Sequence, residues 1–493
     1  MANARRGARR PRPLERAPAS RYTAGDVTQD SPDPNPRRRP DPLQIIRSLW
    51  SPLAYLRPQH GSWESLLRPL DDGLERQSSL PLTRMRRVGL RWLWLDGLFS
   101  TISENFYVAF VPLFALAYGA SKAQIGLLAS VANGLGMIAF LPGARAAERR
   151  TRRKPLVLAG GGGVGRVMLL LLAASPLAGF EPGVMVTAII ALNGVRSFAG
   201  NFSNPSWTTM VADLVPPQIR GRYFAGRNVA MALSALIVAP LAGLIAREMN
   251  QGGSRVAGYQ TVFLLAAVAG VIATLSFARI PEHGVRRHPQ AASRRSTPLT
   301  LLRSNRTFAG FVAGAFVWNF ALHISAPFFN PFVVTDLEGG STTVVGLAAG
   351  SFSLFTLLGQ GVWGRLIDRK GNLAMLRLTG LIIPLMPTGW AFAQAPWHLY
   401  IIEAFAGFSW AGYNLANFNL LLELSPENDR PSATAVYNTA VFASAVLGPL
   451  VGGALAEAVG YRACFAASGA GRLVATLLMI LLVRAVPLTA ARR

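Results

Sequence analysis

The sequence predicts an all-α membrane protein of twelve transmembrane helices in two pseudo-symmetric six-helix bundles, and three observations predict it. Hydrophobic residues make up 51% of the 493-residue chain and charged residues only 15%, against roughly 25% charged in a soluble protein. The charges are clumped: 105–120, 262–278, 378–393 and 473–483 contain none, and apolar runs of about 20 residues cross bilayers as helices. Short motifs recur in corresponding places 220 or about 210 residues apart, the mark of an internal repeat.

Taken in order, residues 1–85 are rich in Arg, Pro, Ser and Asp and cannot bury a core, which predicts a disordered basic tail. No apolar stretch follows its basic start, so no secretory signal is expected. Within it, "LQIIRSLWSPLAYL" (43–56) has the composition of a short surface-lying amphipathic helix, which Pro52 would break, or of a sticky linker. A first bundle over 86–280 holds spans at roughly 92–117, 123–142, 155–177, 183–213, 222–246 and 258–279. A basic linker covers 281–303. A second bundle over 304–485 holds spans at roughly 307–334, 343–363, 374–393, 398–423, 431–457 and 462–484, followed by a tail over 486–493.

The net charge is +25, and Lys122, Lys154 and Lys370 are the only lysines, so arginine supplies nearly all of it. With the N-terminus inside, the loops and C-terminal tail on that side hold 24 Lys and Arg, among them six in 143–154, three in 216–227, seven in 279–306 and four in 364–377. The opposite loops hold four: Lys122, Arg247, Arg255 and Arg462. The bias predicts cytoplasmic N- and C-termini in the cell's inner (plasma) membrane. It assigns the basic balance to anionic lipid headgroups rather than to nucleic acid. The single cysteine, Cys464, excludes disulfides and thiolate clusters, and the five histidines are scattered without an HExxH. No metal or cofactor is expected. No Walker A sequence or nucleophile elbow is present, so neither an enzyme nor an ATP-driven pump is indicated. "GGGGVG" (160–165) satisfies G-x-G-x-x-G, but no strand precedes it, and these glycines are read as close helix packing instead.

The repeat pairs "ARAAERRTRRK" (144–154) with "GRLIDRKGN" (364–372), aligning Ala144 with Gly364, Arg145 with Arg365, Glu148 with Asp368 and Arg149 with Arg369. "GLLAS" (126–130) pairs with "GLAAG" (346–350), "DLVP" (213–216) with "ELSP" (423–426), and "PLAG" (240–243) with "PLVG" (449–452). Parallel six-helix halves of this kind are a transporter architecture.

On these residues the chain resembles the major facilitator superfamily, over about residues 90–485. That family carries a charged turn after its second helix, approximately G-x-L-a-D-R-x-G-R-K. "GRLIDRKGN" follows the repeated form, and "ARAAERRTRRK" departs from the first form at Ala144, Glu148 and Thr151. The resemblance implies that Arg145, Glu148, Arg149, Gly364, Arg365, Asp368 and Arg369 form gating turns that latch the outward-facing state. The acid of each turn can bond the N-terminus of a neighbouring helix, where free N–H groups and the dipole favour an anion. "LNGVRSFAG" (192–200) resembles the fourth-helix motif l-x-x-x-R-x-x-q-G, with Ala199 in place of the polar residue. In antiporters with that motif the arginine, here Arg196, sits near a first-helix acid and alters its protonation; a purely structural ion pair is the alternative. "GPLVGG" (448–453) resembles the antiporter core G-P-x-x-G-G, although the family places it in the fifth helix and this copy is in the eleventh.

Ionisable groups inside a bilayer are costly and suggest function. Asp96 and Glu104 share the first span, about 12 Å and about 80° apart on a helix. They are candidate proton carriers with Arg196, since a carboxylic acid kept from water can exchange a proton near neutral pH. Asp96 alternatively lies near enough to the surface to be solvated. Arg166 and Arg472 either face the cavity or pair structurally. His323 falls close to the repeat position of Glu104 and is a candidate for the same cavity. Asn319, Asn414 and Asn417 stand in aromatic stretches that suit an amphipathic or aromatic solute, and Glu403 is expected at the solvated end of the tenth span.

The expected function is a secondary transporter working by alternating access: a monomer that exchanges protons for a small organic solute in efflux. An importer of a sugar or organic anion, with Arg166, Arg196 and Arg472 as binding residues, is the alternative. A non-transporting receptor or scaffold is a second.

Overall fold

The computed structural model describes residues 84–251, 255–282, 298–425 and 430–483. The expected tails, the 43–56 segment and most of the 281–303 linker lie outside these residues. The described chain is helical, without strands. In order run α1 (Met85–Ala117), α2 (Lys122–Arg149), α3 (Lys154–Ala178), α4 (Pro182–Leu214), α5 (Ile219–Gln251) and α6 (Ala257–Ala278). A short helix, Pro298–Ser304, precedes α7 (Arg306–Thr335), α8 (Thr342–Lys370), α9 (Asn372–Phe392), α10 (Pro396–Leu424), α11 (Ser432–Val459) and α12 (Tyr461–Leu482). Among the described residues, eleven of these are long and apolar enough to cross a membrane. The remaining one, α10, has 29 residues, and its asparagines, glutamates, His398, tryptophans and tyrosines lower its hydropathy.

The repeat is visible in how helices begin and break. Ser121 caps α2, its hydroxyl accepting from Gln124 N at 3.2 Å, and Ser341, 220 residues on, caps α8 by accepting from Val344 N at 3.4 Å. A short hydroxyl side chain at such a position satisfies an otherwise free N–H. The first helix of each half is discontinuous: α1 breaks at 108–110 ahead of Pro112, and α7 breaks at Ala326–Phe328 around Pro327. Proline lacks the N–H that an unbroken helix needs.

The four glycines at 160–163 sit in a wide π-helical turn of α3, Leu158–Val164. A Cβ on Gly160 would crowd Ala199 O and Ser203 of α4, and one on Gly162 would crowd Thr274 of α6. Close packing inside the first bundle is therefore what these glycines provide. Large apolar side chains such as Leu170, Val268, Leu275, Leu473, Leu477 and Leu481 point outward, as a hydrocarbon surround permits.

Within the halves, α2 packs on α4, α1 on α5 and α6, α8 on α10, and α7 on α11 and α12. Between the halves, α2 packs on α11 and α5 on α8. The repeated motifs meet at these two seams. A Cβ on Gly126 of "GLLAS" would strike Pro449 O of "PLVG", and one on Gly346 of "GLAAG" would strike Ala239 O beside "PLAG". Bare glycine backbone lets each pair of helices touch.

The seams close one end of the molecule only. At the end carrying Lys122 and Tyr461, a single apolar cluster joins Phe110, Phe114 and Phe263 of the first half to Phe328, Phe332 and Phe465 of the second. At the end carrying the basic turns, each half keeps its own cluster, around Leu90, Leu214 and Tyr223 in one and Trp363, Leu376 and Leu420 in the other. We call these the sealed end and the basic end.

Candidate functional site

Where the halves diverge, a cavity of about 500 Å³ lies between them, beside the breaks in α1 and α7. Its polar lining is Glu104, Asn105, Tyr107, Asn133, Asn193, Arg196, His323 and Asn330. Breaking a helix beside a cavity exposes backbone polar groups where a solute can use them.

Arg196 of α4 is held from two sides. Its Nη1 donates to Tyr107 OH at 2.5 Å, and its Nε and Nη2 donate to Asn193 Oδ1 at 3.3 and 3.2 Å. Its guanidinium carbon also lies 4.4 Å from the Tyr107 ring centre. Asn193 is three residues back on the same helix, so one turn of α4 presents both groups to α1. Glu104 is one turn from Tyr107. Its side chain is exposed to the cavity and makes no hydrogen bond or ion pair among the described residues. It lies in the fields of Arg166, Arg196 and Arg227. An acid without a bonded partner, beside a fixed cation, is free to exchange a proton or meet a solute. His323 Nδ1 faces Asn319 O at 2.7 Å. A carbonyl only accepts, so Nδ1 carries the hydrogen, and in the neutral ring Nε2 is an acceptor.

Asp96 stands apart from this cavity. It is buried, and Trp207 Nε1 donates to its Oδ2 at 3.5 Å. Arg227 packs against Gly97 and lies 5.8 Å from the Trp207 ring centre. Sequence reasoning counted Arg227 as a loop base; it is buried within α5 instead. The signal was its place one turn beyond Tyr223 and Phe224 and directly ahead of the apolar stretch that begins at Val229. Tyr107, Asn133 and Asn193 were also missed, because isolated amides and a tyrosine carry no spacing signal, whereas Asn330 closes the aromatic and amide stretch 316–330 read as cavity lining.

The other candidates lie elsewhere. Arg166 donates to Ser103 Oγ at 3.3 Å and packs on Gly270. Asn319 turns back to donate to Ala315 O at 2.8 Å. Asn417 donates to Tyr437 OH at 2.7 Å, and Asn414 is exposed. None of these four lines the cavity. Arg472 is buried at 2% exposure and donates to Ser325 Oγ at 3.1 Å, with no acid paired to it among the described residues. Glu403 is half-buried rather than solvated, accepting from Trp390 Nε1 at 3.1 Å.

The turn residues Arg145, Glu148, Arg149, Arg365, Asp368 and Arg369 are exposed at the basic end, beside half-buried Gly364. Neither Glu148 nor Asp368 bonds a helix N-terminus among the described residues; a different acid, Glu282, does so, accepting from Arg153 N and from Lys154 N at the start of α3.

Two six-helix halves around a polar cavity, in a chain with these apolar spans, define a multi-pass membrane transporter. The model of the Major Facilitator Superfamily matches residues 93–336 and again 319–492, and the chain belongs to that family. It is 26% identical over 385 residues to a protein of Lactococcus lactis subsp. lactis (strain IL1403) named "Multi-drug resistance efflux pump PmrA homolog", covering 75% of this chain and 88% of that one. It is 33% identical over 161 residues to "Multidrug resistance protein MdtG" of Rahnella sp. (strain Y9602), which spans 31% of this chain and 39% of the relative. Among solved structures, a bacterial homologue of the iron transporter ferroportin in an inward-facing state has a TM-score of 0.64 at 15% identity, covering 82% of this chain and all of that one. A bacterial homologue of the lysosomal transporter Spinster has a TM-score of 0.61 at 17% identity, covering 83% of this chain and 100% of that one. At these identities the two structures share its fold.

Proposed function

We propose that the chain exports a small organic solute in exchange for protons, by alternating access. The observation that carries this is the unbonded Glu104 carboxyl in the central cavity, beside an arginine fixed by Tyr107 and Asn193. A proton arriving at Glu104 removes its attraction to Arg196, and a cationic or polar solute competes for the same carboxylate. The relative of Lactococcus lactis named as a multi-drug resistance efflux pump supports export. Asp96, between Trp207 and Arg227, is the second proton-handling group, one step nearer the basic end.

In this reading the basic end is cytoplasmic, following the excess of arginine there. The termini are cytoplasmic, the membrane is the cell's inner membrane, and the turn arginines meet anionic headgroups. The working unit is a monomer. The exposed gating turns fit a cavity open to the cytoplasm; they engage when that end closes and the seams at the sealed end part.

The test is uptake into acid-inside proteoliposomes of dyes, sugars and organic acids supplied outside, for wild type and Glu104→Gln, since protons leaving drive the exchanged solute inward. Gradient-driven solute movement is expected, falling by at least about tenfold in Glu104→Gln with protein yield unchanged. Flux that follows a sodium gradient and ignores pH would replace protons as the coupling ion. No flux of any compound would favour a receptor on the same fold.

A further inference from the structure

The core of the second half holds buried donors that the protein itself leaves unused. Among the described residues Arg472 Nε, Trp318 Nε1 and Tyr413 OH have no hydrogen-bond partner, although the three residues are 2%, 1% and 4% exposed. They are neighbours. The Trp318 and Tyr413 rings stack at 4.2 Å, and the Arg472 guanidinium carbon lies 5.8 Å from the Trp318 ring centre. One turn of α10 beyond Tyr413, Asn417 donates to Tyr437 OH at 2.7 Å. Asn417 Oδ1 is also without a partner, and a half-turn of that amide lets Tyr437 donate to it and presents Nδ2. Arg472, Trp318 and Tyr413 thus set three donors around one permanent cation.

That cation lacks a counter-charge. The guanidinium stays protonated, and burying it unpaired is costly. In the first half, Arg166 lies in the fields of Glu104 and Asp96. In the second half the position closest to Glu104 by the repeat is His323, and no acid pairs with Arg472 among the described residues. Ser325 accepts one of its N–H groups and passes its own hydrogen to Ser468 at 2.9 Å, which supplies no negative charge.

We propose that this cluster is a binding site for a small monovalent anion, held by Arg472, Trp318 and Tyr413. None of these three residues lines the Glu104 cavity, and the site does not depend on proton coupling. The anion comes either from solution as a halide or as the carboxylate of a solute.

Thermal unfolding of the purified full chain distinguishes these. Chloride or benzoate replaces bulky gluconate at fixed ionic strength, for wild type, Arg472→Gln, Trp318→Phe and Tyr413→Phe. A ligand bound only by the folded state raises the melting temperature saturably. Wild type is expected to respond to chloride, Trp318→Phe with about tenfold weaker affinity for the lost donor, and Arg472→Gln not at all. A response to benzoate alone, lost with Arg472, keeps the site and assigns its anion to the solute. If Arg472→Gln does not fold, wild type against the two phenylalanine variants decides. No saturable response of wild type to either anion, or one that all three variants retain, overturns the proposal and leaves water as the occupant.

Discussion

Tyr107 joins the acid of α1 to the base of α4. Its hydroxyl receives Arg196 Nη1 at 2.5 Å, its ring lies under the guanidinium, and Glu104 is one turn away. If Arg196 must be held in place to tune Glu104, then loosening it without removing its charge should reduce coupling while leaving solute binding. Tyr107→Phe keeps the ring and deletes the acceptor, a loss of about 1.5–3 kcal/mol for a hydrogen bond to a charged group. Proton-driven flux is expected to fall by about tenfold or more, with solute affinity within about threefold of wild type. Equal losses in binding and coupling would make Tyr107 a solute contact instead. The unlike fates of the two first-span acids also belong to this scale. Eight residues of helix separate them, yet Asp96 is enclosed by Trp207 and Arg227 while Glu104 opens to the cavity. The sequence marked both as costly; the neighbours on α4 and α5 decide which one a solute can reach.

At the scale of elements, the repeat motifs prove to be contact surfaces. Gly126 and Gly346 occupy equivalent positions, and each lays bare backbone against the opposite half. Because the obstacle is a carbonyl rather than a flexible side chain, nothing can swing aside. Gly126→Val is therefore expected to part the α2–α11 seam while leaving each half folded. Transport should be lost, and thiol labelling of cysteines placed at the sealed end should rise several-fold, since the closed state is selectively disfavoured. Gly346→Val should do the same at the α5–α8 seam. Unchanged labelling in both would show that the seams do not hold that end shut. The glycine run of α3 illustrates the same physics inside one half: its spacing mimics a nucleotide loop, but Ala199, Ser203 and Thr274 fill the space a ligand would need.

For the whole molecule, the fused apolar cluster at one end and the separate clusters at the other describe halves that pivot about the cavity. If opening of the sealed end is a step in transport, pinning it should arrest the cycle. The chain is suited to this test, because its single cysteine is buried and donates to Ile324 O at 3.1 Å. A Cβ on Gly134 would lie 3.8 Å from Val446 Cγ2 across the α2–α11 seam, within reach of a disulfide. In a Cys464→Ser background, Gly134→Cys with Val446→Cys is expected to lose at least about nine-tenths of its flux on oxidation and to regain it on reduction. Full activity of the cross-linked protein would mean that the α2–α11 seam stays closed throughout transport.

Composition and periodicity alone determined the membrane class, the helical spans and the twofold repeat, because lipid imposes length and apolarity on every crossing segment. The charged turns and the Arg196 motif carried the family resemblance, because fixed spacing on one turn of chain is local information. What the tertiary structure decided is which polar groups share a space. Tyr107, Asn193 and His323 come from three helices and meet only after packing. Arg227 reads as a loop base and is buried beside Asp96, since the sequence does not say where the membrane boundary cuts α5. Arg472 was expected at the cavity or in a structural pair, and it stands instead among aromatic donors with no acid beside it. Partners contributed by helices far apart in sequence leave no periodic trace, and electrostatic balance inside a bilayer depends on those partners.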